Sequence, residues 1–145
     1  MSESKSFDEA FIEFTVASGR WRDTSPAELL ARWERFVTDC EHGYSSGSED
    51  YFNDLTSRDA IERAMRDGTL SGYPEMDTFR QRVTGPDERF RVLLQPNAFP
   101  RLPEAEWWAR GIVRIAGRRL VDDLRNRYGV IIDLVAEGDD SAGEV

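Results

Sequence analysis

The sequence predicts a mainly α protein, a single-domain helical bundle with room for a small β element near the C-terminus. Three observations carry this. Apolar residues recur every three or four positions through most of the chain, the period of one helix face. Two stretches open on a Ser-x-x-Glu capping box. One short β-branched run, "VIIDLV" at 130–135, departs from the helical period. A length of 145 residues with 39% hydrophobic content suits one domain with a real core.

The elements follow in order. Residues 1–5 and the acidic tail 137–145 are expected to be disordered, being small and polar without apolar period, so the helical domain spans 6–136. In "SFDEAFIEFTVAS", Ser6 and Glu9 have capping-box spacing, and Phe7, Ala10, Phe11 and Phe14 form a helical stripe. A strand reading survives on the alternation of Ile12, Phe14 and Val16; helix is preferred, ending at Gly19. In "TSPAELLARWERFVTDCEHGY", Ser25 caps, Pro26 takes the first helical position and Glu28 completes the box. Leu29, Leu30, Trp33, Phe36, Val37 and Cys40 form its apolar face. Gly43 suits the left-handed position after the last turn, with Tyr44 folding back as the hydrophobic contact.

"EDYFNDLTSRDAIERAMRDG" carries Tyr51, Leu55, Ile61 and Met65 at helical spacing, with Gly68 as the stop. Thr56 and Asp59 can cap a fresh start, so two short helices meeting near residue 56 are an option. In the next segment Met76, Phe79, Val83, Phe90, Leu93 and Leu94 share a face that runs through Gly85-Pro86. Pro86 cannot donate its amide to Arg82, so a kink or break is expected there. "QPNAFPRLPE" should be extended, with Phe99 and Leu102 pinned down. Leu120, Val121, Leu124 and Tyr128 mark a helix ending at Gly129. For 107–116 two readings stay open: a helix through Trp107–Tyr128, or "GIVRI" as a strand partner for "VIIDLV", whose backbone groups need one.

Charge limits the function classes. The net charge of −9 argues against general nucleic-acid binding, which needs a positive field. No run of about 18 apolar residues is present, so no membrane span is expected. No signal peptide is visible in "MSESKSFDEAF". One cysteine excludes an internal disulfide and a cysteine-rich zinc site. Together these favour the cytoplasm.

The stretch "EHGYSSGSEDYFNDL", 41–55, is the main functional candidate. Asp50 and Asp54, four apart, share a helix face, with Glu49 beside them. Carboxylates so placed can bind a hard cation, and a small metal-dependent hydrolase using Glu49, Asp50 and Asp54, with His42 nearby, is the catalytic alternative. "SSGSEDYFND" does not match the calcium-loop pattern. The plainer account is that Ser48 caps while Glu49 and Asp50 favour the positive helix end. Cys40 is expected to be a small core residue, and His42, two residues away, cannot pair with it on a helix. No catalytic residue is assigned, and no cofactor is expected. Arg118 and Arg119, in the first turn of a helix after Gly117, are a minor anion-site candidate. Trp107 and Trp108 cannot share a face; both rings are expected in the core, an exposed one being a binding anchor.

The run 32–62 resembles a family of small bacterial proteins of no established activity. The pattern consists of Trp33, Phe36 and Val37, then Gly43-Tyr44, Asp50-Tyr51, Asn53-Asp54-Leu55 and Arg58. "DERF" at 87–90 and Trp107-Trp108 are also similar to that family. Proteins of this size and acidity often act as immunity proteins for bacterial toxins. The resulting expectation is a non-enzymatic interaction protein, a monomer or homodimer. Glu41, Tyr44, Glu49, Asp50, Tyr51 and Asp54 would dock on a basic protein such as a toxin.

Overall fold

The computed structural model describes residues 5–135. The expectations for the first four residues and for the acidic tail lie outside that range. The fold is mainly α, with two small sheets toward the C-terminus. Seven helices are described: α1 Phe7–Ala17, α2 Pro26–Glu41, α3 Ser48–Arg66, α4 Gly68–Ser71, α5 Glu75–Arg91, α6 Trp107–Arg110 and α7 Arg118–Asp123. A π-helical turn, Leu124–Tyr128, continues α7 to Gly129, whose φ of 67° makes the left-handed stop.

Local chemistry accounts for the helix starts. Ser6 Oγ accepts from the Glu9 N–H at 3.1 Å, and Glu9 Oε1 accepts from the Ser6 N–H at 3.0 Å. Ser25 and Glu28 repeat the box at 3.1 and 3.4 Å, with Pro26 in the first helical position. α1 is therefore the helix and not the strand. Neither a fresh start near residue 56 nor a break at Pro86 occurs. α3 runs unbroken past Thr56, because Thr56 Oγ1 donates to the Asn53 carbonyl at 2.6 Å within the helix and does not cap a new one. α5 continues through Pro86, which is buried.

The chain divides into two compact units. The first comprises residues 5–37 and 53–89. Phe11, Leu29, Trp33, Ile61 and Met76 are fully buried in it. The rings of Phe11 and Phe79 meet edge to face at 5.2 Å, and Trp33 stacks on Phe36 at 5.8 Å. A polar network runs through this unit. Asp87 Oδ1 accepts from Trp33 Nε1 at 2.9 Å and from Arg58 Nε at 2.8 Å. Asp87 Oδ2 accepts from Arg58 Nη2 at 2.8 Å, and Arg58 Nη1 reaches Glu62 at 2.9 Å.

The second unit comprises residues 38–52 and 90–135. Tyr51, Phe90, Ile112, Leu120 and Leu124 are fully buried in it. Strand β1, Leu94–Gln95, pairs antiparallel with β2, Ile112–Val113; β3, Ile115–Ala116, pairs parallel with β4, Asp133–Leu134. α7 and its π-helical turn connect β3 to β4, the crossover that a parallel pair requires. "GIVRI" thus serves two sheets: Arg114 donates its N–H to Leu93 and accepts from the Asp133 N–H, both at 2.8 Å. The long-helix reading of 107–128 is corrected, since α6 stops at Arg110. The proline-rich segment is not extended either. It folds into turns around Arg110, which donates to Asn97 Oδ1 and to the Leu102 carbonyl at 2.7 Å each. Asn97 takes a left-handed φ of 64° there.

Candidate functional site

Residues 41–52 are held from inside by three devices. Gly43 has a φ of 94°, which releases the chain from α2. Tyr44 and Tyr51 then turn inward, edge to face at 5.5 Å and 4% and 0% exposed. Burial pushes the Tyr51 phenol well above its ordinary range. Finally, Asp123 Oδ2 accepts from the Ser48 N–H at 2.8 Å and from the Ser48 hydroxyl at 3.2 Å. The hydrogen bond from the Ser48 backbone holds the Asp123 carboxyl below its ordinary pKa. Gly47 makes room, because a Cβ there would lie 2.6 Å from that carboxylate oxygen. The start of α3 is therefore anchored by Asp123, and not by a Ser48 cap.

These placements correct the expected surface. Tyr44 and Tyr51 belong to the core and supply no outward contact area. Asp54 is partly buried and pairs with Arg32 Nη2 at 3.2 Å. What remains exposed between 38 and 52 is Asp39, Glu41, His42, Ser45, Glu49 and Asp50. Glu49 lies 3.8 Å from Arg127. His42 Nδ1 donates to the Thr38 carbonyl at 3.0 Å, while Cys40 is buried. No group of three or more His, Cys, Asp or Glu side chains among the described residues is placed to hold a metal ion. Glu49, Asp50 and Asp54 are thus not assembled as ligands. Arg118 and Arg119 are both exposed at the start of the six-residue α7. Of the tryptophan pair, Trp108 is buried and Trp107 half-buried under the Arg91 guanidinium, 3.8 Å above its ring.

A second location, within the first unit, is not among the sequence candidates. After α1, Gly19 takes a φ of 106° and the chain presents Arg20, Trp21 and Arg22. These face a cavity of about 310 Å³ shared with Arg32 of α2 and Arg63 of α3. Asn53, Thr56, Asp59 and Arg63 recur at three- to four-residue spacing, so one face of α3 forms the wall. Arg20 is fixed in place: it donates to the Asp23 carbonyl at 3.3 Å and to Thr56 Oγ1 at 3.4 Å. Burial pushes the Arg20 guanidinium below its ordinary pKa; the nearby Arg32, Arg22 and Arg63 add to this and Asp23 opposes it. Arg22 and Arg63 form no ion pair among the described residues. Trp21 is 80% exposed, with Arg22 at 4.9 Å from its ring centre. The sequence signal was "GRWRD", a tryptophan between two arginines in a loop.

The chain matches no family model, no curated protein and no solved structure. No helix among the described residues is long and apolar enough to cross a membrane.

Proposed function

We propose that the chain is a non-enzymatic protein–protein interaction module of the immunity type, in which exposed carboxylates meet a basic partner such as a toxin. The observation that supports this best is the end of α2. Asp39 and Glu41 occupy its last turn, where no basic residue stands. A helix C-terminus carries negative partial charge, so acids there cost about 0.3–1 kcal/mol each where cations would stabilise. Asp39 and Asp50 form no ion pair among the described residues. Glu49 and Asp50 are less telling, because first-turn acids also stabilise their own helix. The buried tyrosines and Asp123 would act indirectly, by holding the acidic positions in fixed geometry before a partner arrives.

The test is capture from native host extract on the immobilised chain, beside a variant carrying Asp39→Lys, Glu49→Lys and Asp50→Lys. Asp54 is left intact because it pairs with Arg32. A basic protein should be retained by the natural chain, lost by the variant, and released near 1 M salt, where the Debye length is about 3 Å. Equal retention by the variant removes this surface from the reading.

A further inference from the structure

We propose that the arginine-lined cavity of residues 18–63 is a binding site for a small phosphorylated aromatic molecule of the mononucleotide class. Charge is the first argument. In a chain of net charge −9, four arginines and a single carboxylate line one cavity. Asp23 and Asp54 stand behind two of those arginines, pairing with Arg20 at 3.7 Å and Arg32 at 3.2 Å. Such backing orients a guanidinium and leaves its other N–H groups for a ligand. The guanidinium fork matches phosphate oxygens with two parallel hydrogen bonds. Arg22 and Arg63 bring charge to the same space without an ion pair of their own among the described residues. Like charges brought together are unfavourable until an anion joins them.

Size and shape give the second argument. About 310 Å³ stands at the small end of ligand pockets, which suits one nucleotide and not a polymer. Trp21 gives the third. An indole left 80% exposed forgoes burial that tryptophan usually obtains. A flat ring at the rim of an arginine cavity offers a stacking surface for a base, and any base will stack because each has a π face. Arg22, beside that ring, adds a cation to the same wall. The phosphate would sit among the arginines and the base over Trp21, with Thr56 and Asn53 along the α3 wall.

The cavity is lined by residues of the first unit, and none of the acidic residues of the proposed interaction surface is among them, so the two proposals are tested separately. Calorimetry on the full chain tests it with the four common nucleoside 5′-monophosphates, with adenosine and with pyrophosphate. At least one monophosphate should bind saturably at one per chain. Adenosine, lacking phosphate, should bind at least about tenfold more weakly than AMP if AMP is the nucleotide bound, and pyrophosphate, lacking a base, more weakly than the best monophosphate. Arg22→Gln with Arg63→Gln should lower the affinity at least about tenfold. Both side chains are exposed, so the thermal transition should stay in place and separate lost binding from lost folding. Trp21→Phe should abolish the ligand-dependent change in tryptophan fluorescence. No saturable heat from any monophosphate at about 5 mM overturns the proposal. So does affinity unchanged in the double arginine variant, or pyrophosphate binding as tightly as the best nucleotide.

Discussion

Arg58 is 3% exposed, and its charge is tolerable only because of what surrounds it. Burial alone would lower its pKa; the hydrogen bonds it donates to Asp87 and Glu62, with their negative charge, outweigh that and hold it above the ordinary value. Breaking such a pair from one side leaves an unmatched carboxylate in a poorly solvated place. Arg58→Met is expected to cost about 3–5 kcal/mol in urea unfolding, and adding Asp87→Leu should recover part of that loss. Trp33→Phe deletes one donor to Asp87 and should cost about 1–2 kcal/mol. Trp33, Arg58 and Asp87 meet in one network, and that network helps to hold the first unit together. Cys40, 4% exposed, should resist a water-soluble disulfide reagent in the folded chain and react at the rate of an ordinary thiol in urea.

At the scale of elements, close approaches of backbone to backbone decide the second unit. Gly117 donates its N–H to the Tyr44 carbonyl at 2.9 Å, and a Cβ at Gly117 would also sit 2.9 Å from that oxygen. Neither partner is a flexible side-chain end, so relief requires the loop after α2 to move away from α7. Gly117→Ala should destabilise by about 1–3 kcal/mol, read by chemical denaturation. Gly129 offers the contrast: its φ is 67° but nothing lies within 4 Å of an added Cβ. Gly129→Ala should cost only the left-handed backbone penalty, about 1–2 kcal/mol. The same scale explains why "VIIDLV" forms so short a strand. Only Asp133 and Leu134 find a ladder partner, because β3 itself is two residues long before Gly117 opens α7.

Across the molecule, charge sets the response to pH. Burial alone would raise the Glu62 pKa; hydrogen bonds from Arg58 and Arg66 outweigh it and hold the carboxyl below 4.5. A folded pKa below the unfolded one gives stability that is fully present above about 4.5 and fades as pH falls through the folded value. Thermal midpoints of the natural chain should therefore drop below pH 4.5, and Glu62→Gln should flatten that drop while lowering the midpoint at neutral pH. An equal acid slope in the variant would show that Glu62 does not contribute to it.

The capping boxes at Ser6 and Ser25, the turn at Gly43, the core place of Cys40 and the mainly α character were legible in the sequence by itself. Each depends on residues within a few positions of one another, or on a period that one element displays alone. Other outcomes were decided only by tertiary structure. The start of α3 rests on a carboxylate 75 residues away, and "GIVRI" divides between two sheets. The arginine cavity belongs to this second group. Arg20, Arg22, Arg32 and Arg63 have no common spacing, and chain folding alone brings them together. A helix face is set by local periodicity, whereas convergence of side chains from separate elements depends on how those faces pack.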